Sequence, residues 1–225
     1  MTFIYKDRPS DSSLVETIWH AQSERAGSFI STASTHWEMV VTSFKGKTVF
    51  TVRGPETQAT PLLYQRIGAE WIGIRFKVGA FMPYLPPATI RNFRDVNLPE
   101  ATSQSFWLQG SAWEVPNFEN ADTFVARLVR EGLLVHDPAV TAVLRGHPHG
   151  LSPRSLQYHF LRATGLTYKT IQQIERARQA KALLEHGTSI LNTVHRLGYY
   201  DQSHLTNSLK RFLGQTPTQI VRLSR

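Results

Sequence analysis

The chain has no cysteine and no run of apolar residues near the ~18 that a membrane-crossing helix needs. The first absence excludes a disulfide framework, a thiolate nucleophile and a zinc–thiolate site. The second argues against a membrane partner. Acidic residues are also scarce, with 17 Asp and Glu against 25 Lys and Arg, a formal charge of +8 over 225 residues. The opening stretch, Met1 to Arg8, mixes charges and holds no apolar segment, which predicts no secretory signal and a soluble cytoplasmic protein. A glycine-rich phosphate loop, a His-Glu-x-x-His zinc motif and a Gly-x-Ser-x-Gly elbow are all missing. No enzyme class, cofactor or metal is therefore expected.

What is present is a basic excess, and its distribution matters more than its total. Residues 1–118 hold 11 Lys/Arg and 10 Asp/Glu, a net of +1, whereas residues 119–225 hold 14 and 7, a net of +7. Pro116-Asn117-Phe118-Glu119-Asn120 reads as the joint. The expectation is an α+β chain of two domains, a mainly β unit over 1–118 and an all-α unit over 119–225.

In the first half, Trp37–Phe44 and Thr48–Arg53 are rich in β-branched and aromatic residues. Lys45-Gly46-Lys47 separates them as a hairpin loop would. Glu70–Lys77 reads as a third strand. Ser12–Ala21 reads as a helix, with Leu14, Val15, Ile18 and Trp19 on one side. An open sheet or a small barrel accommodates these elements. The aromatics Trp37, Trp71, Phe76, Phe81, Tyr84, Trp107 and Trp113 have two readings, a sheet core or the lining of an apolar pocket. Glu38 and Arg75 could orient a polar ligand from strand faces, or be solvated strand charges.

The second half divides itself into helices. Asp137-Pro138, Ser152-Pro153 and Thr216-Pro217 each set an N-cap before a proline, and glycines 146, 165, 187, 198 and 214 fall where apolar periodicity ends. Seven helices fit, the longest about Tyr168 to His186. The most informative stretch runs from Ser189 to Phe212. One short helix ends at Gly198, and Asp201 caps a second that buries Leu205, Leu209 and Phe212. Its other face carries Gln202, Ser203, Thr206, Asn207, Lys210 and Arg211. This is the helix-turn-helix format, with polar side chains for base edges and cations for phosphate. The alternative is a solvated surface helix. His147 and His149 flank a proline without nearby ligand partners, which favours turn histidines over a metal site.

Gly198-Tyr-Tyr-Asp-Gln-Ser-His-Leu followed by Phe212-Leu-Gly-Gln-Thr-Pro217 resembles the signature of the AraC-type transcriptional regulators. The resemblance extends to Leu151–Gly165 and to the stretch from Gln172 to Leu184, and so covers nearly all of the second half. It implies two helix-turn-helix units joined by a long linker helix, with recognition helices at about 153–163 and 201–212. By that resemblance Arg154, Gln157 and Tyr158 face DNA in the first unit. The first unit departs from the family pattern, because its brace, Pro138 to Arg145, is followed by a longer turn through Gly146 and Gly150.

The resemblance further implies double-stranded DNA as partner, a small-molecule effector or a homodimer interface in the first half, and RNA polymerase as a partner in activation. Trp37-Glu38-Met39 and Gly73-Ile-Arg-Phe76 resemble the N-terminal domains of a subset of these regulators. Trp37, Glu38, Trp71, Arg75 and Phe81 are the effector-site candidates. Two alternatives stay open for this half: a purely structural dimerisation module, or an enzyme acting on a small molecule.

Overall fold

The computed structural model describes residues 3–64, 66–147 and 150–223; His149 lies outside the described residues. Thirteen strands and seven helices occur among them. Strands β1 (Phe3–Arg8), β2 (Val15–Ser23), β3 (Gly27–Ser31), β4 (Glu38–Phe44), β5 (Lys47–Arg53), β6 (Thr60–Tyr64) and β7 (Glu70–Phe76) come first. Then follow β8 (Ala80–Phe81), β9 (Val96–Asn97), β10 (Glu100–Thr102), β11 (Ser105–Leu108) and β12 (Ser111–Glu114). After helix α1 (Ala121–Arg130) and strand β13 (Val135–His136), six helices complete the chain. They are α2 (Pro138–Leu144), α3 (Pro153–Thr164), α4 (Tyr168–Glu185), α5 (Ile190–Arg196), α6 (Gln202–Leu213) and α7 (Pro217–Leu223).

The main sheet is antiparallel, in the order β1-β2-β7-β4-β5-β9. Its β4–β5 hairpin closes more tightly than the three-residue loop expected, since Phe44 pairs with Lys47. Lys45 and Gly46 both take positive φ, 49° and 75°, the geometry that matches strand twist in a two-residue turn. One face of the sheet carries Ile18, Met39, Phe50, Val52, Ile74 and Phe76, all buried. The β10–β12 sheet and α1 cover that face, with Phe50, Phe106, Trp113 and Phe124 forming an edge-to-face cluster. Each such buried aromatic contributes about 1.5–3 kcal/mol of apolar transfer energy.

The helix expected over Ser12–Ala21 is a strand. Val15 lies opposite Phe76 and Ile18 opposite Ile74, with a bulge between Val15 and Thr17. The extra residue in the bulge lets two side chains three positions apart face the same core, and that spacing imitates a helical turn.

Helix α1 packs in the core of the sheet through Phe124, Val125 and Leu128. The second core begins at Val140 and gathers α2–α7, together with Phe81 from β8 and Ala33 from the segment after β3. All seven helices fall where apolar periodicity puts them. Asp137, Ser152, Thr167, Ser189 and Asp201 each accept a backbone N–H as N-cap. Thr216 and Gln219 exchange side-chain and backbone hydrogen bonds as a reciprocal cap for α7. Helix α4, whose 18 residues span about 27 Å, packs against α3, α5, α6 and α7.

Candidate nucleic-acid interface

In the second helix-turn-helix unit, Leu205 and Leu209 are fully buried and Phe212 nearly so, which turns the opposite face of α6 outward. Gln202, Ser203, Asn207, Lys210 and Arg211 are exposed there. Thr206 is half-buried, and its hydroxyl donates to the Gln202 carbonyl at 2.8 Å. That leaves its methyl and an oxygen lone pair for a base edge. Asp201 caps the helix by accepting from the His204 N–H at 2.7 Å. The turn is held from within. Tyr199 is buried, its hydroxyl lies 3.2 Å from that of Ser208, and the Arg176 guanidinium of α4 sits 4.4 Å above its ring. His204 accepts from the Tyr200 N–H and packs edge-on against Tyr199, so it buttresses the turn.

The first unit is built differently. Arg154, Gln157 and Tyr158 share an exposed face of α3, with Tyr158 60% accessible, while Phe160 and Ala163 are buried on the other. Helices α2 and α3 are linked through Asp137, which is only 5% exposed. One carboxylate oxygen accepts from the Ala139 N–H to cap α2, and the other lies 2.8 Å from His159 Nδ1 on α3. The connection from α2 to α3 is longer than that from α5 to α6. Both readings of the sequence, the longer first turn and the polar face of α6, are seen here.

Exposed cations supply the remaining electrostatics. Among the described residues, Arg154, Lys169, Arg196, Lys210, Arg211 and Arg222 have no carboxylate within 4 Å, unlike Arg178 and Lys181, which pair along α4 with Glu175 and Glu185. Unneutralised surface cations of this kind are what phosphate contact uses. Sequence reasoning passed over Lys169, Arg196 and Tyr200, the last 92% exposed immediately before the α6 cap. An aromatic in a turn that no apolar period claims was the available signal.

Residues 149–222 match the family described as a helix-turn-helix domain. The matched segment is similar to AraC-type helix-turn-helix domains. The match takes in α3–α7 and begins beyond α2, consistent with the unusual first turn. Two similar proteins are both called HTH-type transcriptional regulator RipA. That of Corynebacterium glutamicum is 34% identical over 95 residues, which is 41% of this chain and 28% of that protein. That of Corynebacterium diphtheriae is 32% identical over 97 residues, 43% of this chain and 29% of that protein. The alignments thus span less than a third of either relative. No solved structure matches the chain.

The effector candidates separate in space. Glu38, Trp71 and Arg75 line a cleft of about 1220 Å³ between the second face of the sheet and the β3–β6 hairpin. Trp37 does not. It is buried in the sheet core, stacked on Phe76 with its indole N–H on the Ala80 carbonyl. Phe81 joins the helical core beneath Arg162 of α3. Glu38 pairs with Arg75 in strand register, and Glu16 with His36. Cleft residues that the sequence did not single out include Trp19, Arg53, Glu56, Asp95 and Arg178.

Proposed function

We propose that the chain is a sequence-specific regulator of transcription that binds double-stranded DNA. The observation that carries this reading is the exposed, hydrogen-bonding face of α6 on its buried Leu205-Leu209-Phe212 stripe, within the helix-turn-helix match. Helices α3 and α6 enter successive major-groove segments. Gln202 and Asn207 suit adenine, and Ser203 and Thr206 suit several bases. Arg154 suits guanine, with Gln157 and Tyr158 beside it, while Lys210 and Arg211 bind phosphate. The helical body that does this lies in the 119–225 half, whose charge supplies the salt-sensitive part of the affinity. The first half binds a small effector in its cleft and supports a homodimer, and contact with RNA polymerase completes an activator. The size of the cleft and its mixture of aromatic and charged walls favour an effector over a purely structural role for this half.

Retardation of random-sequence and genomic DNA fragments by the full chain tests this reading. Binding should weaken steeply between 50 and 200 mM salt, roughly 10³-fold or more for six phosphate contacts. No retardation at any salt in that range would falsify it.

A further inference from the structure

The cleft is joined to the second recognition helix by its own roof. The β3–β6 hairpin contributes Phe29, Ile30, Ser31 and Leu62 to the cleft wall. At the open end of the hairpin, the Ala33 N–H donates to the Phe212 carbonyl and the Ala59 N–H to the Arg211 carbonyl, each at 2.7 Å. Those carbonyls belong to the last turn of α6, where no intrahelical donor reaches them. Gly214, the left-handed cap of α6 at φ +70°, meets the same hairpin. A Cβ there would come within 2.7 Å of Ile30 Cγ2. Arg178 of α4 lines the cleft and donates to the Ala33 carbonyl at 3.0 Å, so residue 33 is fastened from both sides.

The chemistry of the walls is specific. Tyr5 and Trp19 stack on the cleft side of the sheet, and Trp19 lies across Gly73, where a Cβ would collide with its indole. Of the four carboxylates lining the cleft, Glu38 and Asp95 each have an arginine, and Glu16 the His36 imidazole, as a nitrogen partner within 4 Å. Among the described residues Glu56 has none, and its side-chain partner is the Ser31 hydroxyl at 3.0 Å. Burial raises the Glu56 carboxyl to about 7. Ser31 and Arg53 oppose that rise, while Asp95 and Glu38 add to it. Burial raises Asp95 as well, against the pull of Arg53. A cleft whose walls carry both aromatic rings and a carboxylate without an ion-pair partner is complementary to an organic cation.

We propose that the cleft is a receptor for a small organic cation with an apolar body, whose charge pairs with Glu56, and that occupancy reaches α6 through the hairpin. The cation pairs with Glu56 between floor and roof, draws the hairpin down, and so biases the α6 cap to which Ala33 and Ala59 are bonded. This deepens the effector reading above, but the binding itself does not depend on DNA.

Benzyltrimethylammonium, with phenylacetate as the anionic counterpart, tests the proposal by calorimetry on the full chain. The cation should bind at least about tenfold more tightly than the anion, and Glu56→Gln should abolish that preference. Binding should tighten from pH 6 to pH 8, because Glu56 must lose its proton to pair. Should Glu56→Gln fail to fold, Ser31→Ala, which removes the hydroxyl that favours the ionised Glu56, should weaken the cation and shift its pH dependence upward. Equal or stronger binding of phenylacetate, or an unaffected Glu56→Gln, overturns the proposal. Hydrogen exchange with the cation bound should slow over 27–35, 57–64 and 205–216 together; slowing that spares 205–216 overturns the transmission. DNA retardation on the same sample keeps the two readings apart. Retardation without cation preference overturns the receptor alone, and cation binding without retardation overturns the regulator alone.

Discussion

The two helix pairs, α2–α3 and α5–α6, hold their second helices in place by different means. The second is held at its turn, where Tyr199 is buried between the Arg176 guanidinium and the Ser208 hydroxyl, and Asp201 caps α6 five residues after the end of α5. The first is held away from its turn, by the single Asp137 carboxylate that caps α2 and reaches His159 on α3. Both recognition helices end against the β-rich half. The Gly165 carbonyl accepts from Arg91, and the α6 carbonyls accept from Ala33 and Ala59. The difference shows that one architecture can be stiffened either by filling the turn or by bracing across the helix pair. Among the residues proposed to face DNA, six lie on α6 and three on α3.

Core truncation should have the largest effect. Leu205→Ala and Phe160→Ala remove matched side chains from the two units, and each should cost about 2–5 kcal/mol in denaturant unfolding. A single transition in both variants would mark the shared core as one cooperative body; two transitions would split the units. Next come the base contacts. Gln202→Ala and Arg154→Ala should each relax preference by about 1–3 kcal/mol at different base positions, measured by competition with mutated sites. Loss at the same position from both variants would break the assignment of separate grooves. The caps follow. Asp201→Ala should cost about 1 kcal/mol of stability, and Asp137→Ala more, because it also frees a buried link to His159. Equal costs would remove the brace from the account of the first unit. The smallest effect is expected from charge. Lys210→Ala should lower the slope of log affinity against log salt by about 1, while Tyr158→Ala should leave it unchanged.

Much of the helical half was legible because its signals are local. A cap such as Ser152 before Pro153, or a stripe such as Leu205-Leu209-Phe212, is decided within one or two turns of chain. The polar face of α6 followed from the same periodicity. The sheet half was less so. Ser12–Ala21 imitated a helix because the bulge at Val15–Thr17 depends on β7, a partner about 60 residues away. The cleft escaped for a related reason. Trp19 was assigned to the wrong element, and Glu56 and Asp95 sit in irregular segments that carry no period. Trp37 and Phe81 were candidates by residue type, yet type alone cannot separate a pocket wall from a core. The bonds from Ala33 and Ala59 to α6 involve backbone groups, which leave no trace in side-chain identity.

On the proposed reading, one chain contacts DNA with two helices set about a helical turn apart. Selection of bound sequences from a random pool by the full chain tests it most directly, repeated with Arg154→Ala and Gln202→Ala. Two short preferred blocks with centres about 10 bp apart are expected, one degraded by each substitution. A single block, or two blocks that neither substitution changes, would contradict it.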